Sequence, residues 1–441
     1  MRIHTCATKV EIGFGEGVRV GHCCTSSRRA SNMNSSSSLK ERFQDLSLKL
    51  QKLDYKEDNV LKRKLYAESE LLRMDIEQNT TFAQGVEGLR IKNELGKYNE
   101  TFNITATRRT KRFYDMLDEI IRLSAACFTL MTTAVFFSIP IIFINPLDYL
   151  LVRFNIISSD HKIAKLLKQK ICQFILLVSG IEMVVNIQDT ETFMTTRTLT
   201  FYSHGSTLDP FMIGATCPVR HVSIAKSDLF LVPYFAWLIV AFGTIAIDRS
   251  NRTSAVMALN KAAKMIGSND CVSIAPEGTR TKTGNLQEFK KGPFYLWEEL
   301  NCPIIPIVLY GAFDMHPPQK YMTMPGRVYI RYLEAIKPEQ AKSREEMSNL
   351  VRRAMLEDSL NTPEDICSGL STVHRLQSTL GILFLFGSHY LLWAWCIKDL
   401  LFTTFNLTTT HVLSIFVSGS VVITLTLYIY AVYAVHWFKS K

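Results

Sequence analysis

The sequence predicts an α/β domain carried between a helical arm and apolar, membrane-directed helices. Three observations predict it. Residues 158–340 alternate short β-rich runs with helix-length stretches, the pattern of an α/β domain. Ahead of them, Leu39, Phe43, Leu46, Leu50 and Leu53 recur at four-three spacing, the apolar seam of a helix that packs on another helix. Outside the α/β region, three strongly apolar stretches at about 123–144, 379–397 and 412–437 are each long enough to span a bilayer.

Composition agrees with that plan. The chain has 441 residues, 47% of them hydrophobic and 20% charged, with a mean hydropathy of +0.08. These values are high for a wholly soluble protein and low for a multi-span transporter. The net charge of +10 suits an anionic partner, either nucleic acid or an anionic lipid surface. The basic residues flank apolar segments or stand singly at strand ends, and no recognition motif accompanies them, which argues against nucleic acid. Ten cysteines are scattered without a CxxC or a Cys/His cluster at zinc spacing. Cys127, Cys172 and Cys396 lie in apolar stretches and read as reduced, structural thiols.

Taken in order, residues 1–38 are polar, end in the run Ser35 to Ser38, and read as a disordered tail. Residues 39–118 form the helical arm, whose 39–75 stretch favours self-packing over a dimerising coil and leaves self-association as an option. A basic cluster at Arg108, Arg109, Lys111 and Arg112 precedes the membrane segment at 119–157. Pro140 and Pro146 near its far end fit either a single span or a kinked re-entrant hairpin. The α/β domain follows at 158–340, then a linker at 341–370. A C-terminal hairpin of two spans at 371–441 has basic residues outside the pair, which puts both its ends in the cytosol. Asn406 then falls on the far side, where glycosylation is open to it.

Within the α/β domain, β-rich runs are expected at 198–203, 221–225, 244–247, 272–275, 304–310 and 328–333, and several deliver a polar motif. The first leads into Ser203-His204-Gly205-Ser206-Thr207-Leu208-Asp209-Pro210. Pro210 suits the first turn of a helix, with Asp209 at or near its cap. A tight turn would bring His204 and Asp209 together, with the carboxylate fixing one imidazole nitrogen and leaving the other as a general base; a helix-cap Asp beside an incidental His is the alternative. The strand at 272–275 leads into Pro276-Glu277-Gly278-Thr279-Arg280, where Gly278 permits a sharp turn and Arg280 offers a fork suited to phosphate. Asp248-Arg249 and Lys226 each follow another strand, and Pro303 to Val308 forms an apolar wall. Ligands of open α/β sheets bind beyond the carboxyl ends of the strands. Lys226, Arg249 and Arg280 therefore suggest an anionic substrate near His204. The apolar run 229–247 is long enough to span, but spanning would separate Lys226 from Arg249, so it reads as buried or interfacial.

These residues resemble the glycerolipid acyltransferase family, and within it the lysophosphatidic acid acyltransferases. That family carries an H-x4-D motif, a D-R motif, an F-P-E-G-T-R-type motif and a proline-containing apolar motif. Here they stand, in the same order, as His204…Asp209, Asp248-Arg249, Ala275 to Arg280 and Pro303…Pro306. The resemblance covers roughly residues 162–334. It implies a mixed sheet with flanking helices and direct acyl transfer without an acyl-enzyme. His204 would act as base and Asp209 would orient it. Lys226 and Arg280 would bind phosphate, and Glu277, Gly278, Thr279 and Arg249 would form the acceptor site. No cofactor is implied beyond acyl-CoA as co-substrate. The acceptor would be a lysophospholipid in the bilayer, lysophosphatidic acid first, with glycerol-3-phosphate, another lysophospholipid or a tafazzin-like transacylation as alternatives. The implied location is integral to a membrane, the endoplasmic reticulum, with the catalytic domain facing the cytosol. Ser203 replaces the family's Asn and Ala275 its Phe; neither removes a catalytic group. A non-catalytic membrane scaffold is the competing class, and the His204/Asp209 pair argues against it.

Overall fold

Alternate residues of the run 304–310 go to opposite faces of a sheet. Ile305, Ile307 and Leu309 join one apolar cluster, and Ile304, Val308 and Tyr310 join the other. A strand buried on both faces reads as a continuous apolar run and needs helices above and below it. The computed structural model supplies them. It describes residues 2–4, 9–11, 35–51, 59–98, 102–104, 117–118, 120–126, 147, 154, 162–231, 236, 239–240, 242–248, 270–318, 324–366 and 369–405.

The N-terminal elements are β1 (Arg2–His4), β2 (Lys9–Glu11), α1 (Ser36–Gln51), α2 (Asn59–Gln78), α3 (Thr80–Gln84) and α4 (Val86–Lys97). The α/β region runs α5 (Lys162–Val178), β3 (Ile181–Ile187), α6 (Thr190–Thr195), β4 (Thr198–Tyr202), α7 (Asp209–Thr216), β5 (His221–Lys226) and β6 (Ile245–Ile247). It continues β7 (Cys271–Ile274), α8 (Gly292–Leu300), β8 (Ile304–Tyr310), α9 (Ala312–Met315) and β9 (Gly326–Tyr332). Two longer helices follow, α10 (Arg344–Ser359) and α11 (Thr372–Phe405).

The strands form one sheet in the order β2-β1-β3-β9-β8-β4-β7-β5-β6. It is mixed: β8 and β9 pair antiparallel, as do β1 and β2, and the other neighbours pair parallel. The six β-rich runs expected from sequence are all strands, to within two residues at each end. Helices α5 and α7 cover one face, through Cys172, Leu176, Met212 and Ile213. Helices α8 and α10 cover the other, through Phe294, Trp297, Met347, Val351 and Met355. Because β8, β4, β7, β5 and β6 are adjacent and mutually parallel, their carboxyl ends share one edge. The loops carrying His204, Glu277, Lys226 and Asp248 all leave from that edge.

Two expectations change, and the arm's packing is now visible. The segment read as a disordered tail contributes β1 and β2, because the outer edge of β3 offers free backbone groups that Arg2 to His4 can pair. The segment read as a linker contains α10, whose Met347, Val351 and Met355 lie four apart on one helical face and are almost wholly buried in the sheet's core. The arm is docked on the α/β domain; Ala67 and Leu71 pack against Leu356 of α10. Its heptad seam is filled from within: Leu39, Phe43, Leu46 and Leu50 bury against Leu65, Leu72, Ile76, Ile91 and Leu95, which leaves that seam no face for a second copy. Leu53 lies outside the described residues.

Among the described residues no helix is long and apolar enough to cross a membrane. Most of the stretch 119–157, all of 412–437 with the sequon at Asn406, and the side chains of 389–405 lie outside them, as does much of 229–247.

Candidate active site

The loop between β4 and α7 is held by its own acid. Asp209 occupies the first turn of α7, next to Pro210, and is completely buried. Its Oδ2 accepts three hydrogen bonds, from His204 Nδ1 at 2.8 Å and from the backbone N–H groups of Gly205 and Ser206 at 2.9 Å each. A carboxylate at a helix N-terminus with two N–H donors is well placed to hold negative charge. Because Oδ2 is an acceptor, the His204 proton sits on Nδ1 and the lone pair on Nε2. That nitrogen has no hydrogen-bond partner among the described residues, and the His204 side chain is 17% exposed. Tyr202 meets the imidazole edge-on, with ring centroids 5.6 Å apart.

The loop after β7 grips the histidine's backbone. Glu277 Oε1 accepts from the His204 N–H at 2.8 Å, and Oε2 accepts from the Gln287 N–H at 3.0 Å. The Thr281 N–H donates to the His204 carbonyl at 2.8 Å. Burial pushes the Glu277 carboxyl up to about 8, and the two backbone donors pull the other way. Both Glu277 oxygens thus face backbone N–H groups, whereas the resemblance implied an acceptor-site contact. Gly278 turns the loop at φ +76°, in the left-handed region that favours glycine.

Arg280 reaches across to the histidine loop, where its Nη1 donates to Thr207 Oγ1 at 2.9 Å. Thr207 Oγ1 also lies 3.0 Å from His316 Nδ1. Burial lowers the pKa of Arg280 and the charge of Asp209 opposes that shift; its guanidinium stays charged at any physiological pH. Thr279 is exposed, and its carbonyl accepts from Gln287 Nε2 at 3.1 Å. Ser203, standing where the family has Asn, accepts from the Leu309 N–H through Oγ at 3.0 Å, which ties the histidine loop to β8.

The structure therefore brings together His204, Asp209, Glu277, Gly278, Thr279 and Arg280. Lys226 stands two strands from β4, roughly 10 Å at the usual strand spacing, half-exposed and ion-paired with Asp228. Arg249 lies outside the described residues. Sequence reasoning missed Thr281, Gln287 and His316. Thr281 contributes its backbone, Gln287 its backbone and side chain, and His316 lies just past α9; no local pattern marks any of them. Among the described residues no group of three or more His, Cys, Asp or Glu side chains could hold a metal ion.

Residues 184–310 match the family model described as Acyltransferase. Over 227 residues the chain is 27% identical to a 1-acyl-sn-glycerol-3-phosphate acyltransferase of Cocos nucifera, covering 51% of this chain and 70% of that protein. It is 35% identical over 140 residues to the Saccharomyces cerevisiae protein of the same name, covering 31% of this chain and 46% of that one. It is 33% identical over 135 residues to the human beta form, covering 30% and 49%. The chain thus spans about half the length of the yeast and human relatives. The crystal structure of a lysophosphatidic acid acyltransferase, PlsC, from Thermotoga maritima aligns at a TM-score of 0.44 and 19% identity, covering 56% of this chain and 98% of that one.

Proposed function

With residues 184–310 forming a domain of the acyltransferase family, we propose that this protein transfers an acyl chain from acyl-CoA to the free hydroxyl of lysophosphatidic acid, giving phosphatidic acid for phospholipid synthesis. The observation that carries the reading is the 2.8 Å contact from His204 Nδ1 to an Asp209 oxygen already fixed by two backbone N–H groups. It leaves one basic nitrogen, unpartnered and partly exposed, at the carboxyl edge of the sheet.

The chemistry balances without an acyl-enzyme. The acceptor hydroxyl loses its proton to His204 Nε2 as its oxygen bonds to the thioester carbonyl carbon. The tetrahedral intermediate collapses, the carbon–sulfur bond breaks, and the proton returns from Nε2 to the departing thiolate. Asp209 stays ionised and offsets the transient imidazolium charge. Arg280, which meets the histidine loop at Thr207, and Lys226, on the same sheet edge, would bind phosphate, and Arg249 would belong to the acceptor site. Acyl-CoA is water-borne and the acceptor lies in a bilayer. A catalytic edge facing the cytosol from an integral membrane protein, in the endoplasmic reticulum, would meet both.

The test offers labelled acyl-CoA to the detergent-solubilised full chain with lysophosphatidic acid, glycerol-3-phosphate and lysophosphatidylcholine in parallel. Turnover on lysophosphatidic acid is expected. It should fall by about 10²-fold or more in His204→Ala, the scale of general-base catalysis. Asp209→Asn should fall by a similar factor, because an amide oxygen can accept the three bonds but carries no charge to offset the imidazolium. Turnover on another acceptor would keep the mechanism and replace the substrate. Full activity in either variant would remove the base.

A further inference from the structure

The helical arm reaches the catalytic loops by two routes. The first runs through Asp314, completely buried on α9. Arg63 of α2 pairs with its Oδ2, and Asn59 Nδ2 donates to its Oδ1 at 3.2 Å. A buried carboxylate needs such compensation, and here both oxygens take it from the arm. Beside Asp314, Phe313 is wedged between two active-site loops. A Cβ on Gly205 would lie 3.2 Å from the Phe313 Cβ, and one on Gly284 would lie 2.8 Å from its ring. Arg63 therefore sets the residue against which the histidine loop rests.

The second route runs through residues 283–287. The Ile104 N–H donates to the Thr283 carbonyl at 2.8 Å, and Asn285 Nδ2 donates to the Phe102 carbonyl at 2.8 Å. The Tyr66 hydroxyl donates to the Leu286 carbonyl at 2.6 Å. Arg352, held by Glu70 of α2 at 2.7 Å, donates to the Gln287 carbonyl. Gln287 then donates its N–H to Glu277, and Glu277 holds the N–H of His204. Two hydrogen bonds thus join the strap braced by the arm to the backbone of the histidine. The seven residues that follow Arg280 gain their order from a segment some 200 positions earlier in the chain.

We propose that the N-terminal arm is a positioning element of the catalytic site, with Arg63 and Tyr66 as its positioning residues. They fix Phe313 and the 283–287 strap so that Glu277 and His204 are already set when substrate arrives. The inference rests on the reading of His204 as the base. Misplacing a reacting group by about 1 Å costs on the order of 10²-fold in rate, so an arm that sets this geometry acts on kcat more than on substrate affinity.

The experiment uses the solubilised full chain. Arg63→Gln combined with Asp314→Asn removes the ion pair without leaving a lone buried charge. Tyr66→Phe removes one hydroxyl. Arg42→Gln is the control, since its partner Asp75 otherwise pairs with Arg353 and touches no active-site loop. The double variant should lose about 10-fold or more in kcat with KM for acyl-CoA changed by less than about two-fold, and Arg63→Lys should recover most of the loss. Tyr66→Phe should lose about three-fold, and Arg42→Gln nothing. Amide exchange should quicken at Gly205, Ser206, Thr281 and Gln287 in the double variant and stay unchanged across β3 and β9. Unchanged kcat in the double variant, or an equal loss in Arg42→Gln, overturns the proposal. A double variant that does not fold passes the decision to Tyr66→Phe by the same two readouts. Should the wild type turn over no acceptor, the enzymatic reading fails and exchange decides the coupling. Acceleration confined to those amides upholds it, and its absence overturns it.

Discussion

Glu277 carries opposing demands at one carboxyl group. Burial raises its pKa to about 8, while its two oxygens serve two backbone donors. Since the folded value lies above the unfolded 4.5, the folded state binds the proton more tightly. The stability this contributes is fully present below about pH 4.5 and is lost as pH rises through about 8. Glu277→Gln has no such titration and turns an N–H toward one of the two donors, which costs about 1–3 kcal/mol. The stability difference between wild type and Glu277→Gln should therefore shrink as pH rises from 5 to 9 in a urea-unfolding series. A constant difference would mean that Glu277 is ionised throughout. The same substitution should lower acyl transfer, because the His204 N–H loses its acceptor. The pair His204/Asp209 was legible from five-residue spacing and a Pro after the acid, since both partners sit on one loop and the contact is local. The role of Glu277 was not. A carboxylate between Pro and Gly after a strand looks like a ligand contact, and only the packed structure turns it inward to two amides.

Helix α10 is the element whose reading changed most. Residues 341–370 are polar in bulk, so the segment reads as a linker. Yet Met347, Val351 and Met355 repeat every four residues, and the sheet face above Val308 and Tyr310 is open unless something covers it. Ser343 caps the helix by accepting from the Glu346 N–H, as a Ser three residues before a Glu does. Met347→Ala should cost about 2–5 kcal/mol as a fully buried side chain, read as a lower urea midpoint at unchanged slope. A change under about 0.5 kcal/mol, the scale of surface substitutions, would return α10 to the status of a surface linker. The arm packs on itself, as its spacing favoured. Its heptad seam was visible in Leu39, Phe43, Leu46 and Leu50, but a seam does not name its partner. Helices α2 and α4 of the same chain fill it.

At the scale of the whole molecule, one helix carries an outward apolar stripe. On α11, Val373, Leu376, Leu380, Leu383 and Phe384 are all more than half exposed and form one stripe at three- and four-residue spacing. The opposite side of α11 packs Ile382 and Leu385 on Phe174 and Val178. A stripe of that size facing outward marks an interaction with lipid or protein, and the proposed bilayer acceptor selects lipid. The full chain in isolated membranes should resist extraction by alkaline carbonate and dissolve in detergent; recovery in the carbonate supernatant would rule out integral association. The sequence by itself determined the α/β class, the strands and the order of the motifs along them, because period-two burial and short turn signals are written in adjacent residues. Five-residue spacing also allowed the contact between His204 and Asp209, while their proposed role as an acid–base pair came from the family resemblance. The tertiary structure decided which strands lie side by side, how Glu277 and Arg280 meet the histidine loop, and that a helical arm is bolted to α9 and the 283–287 strap. Those contacts join residues as far apart as Glu70 and Arg352, 282 positions. Each pairs a buried polar group with a distant partner, and no local pattern encodes such a pairing.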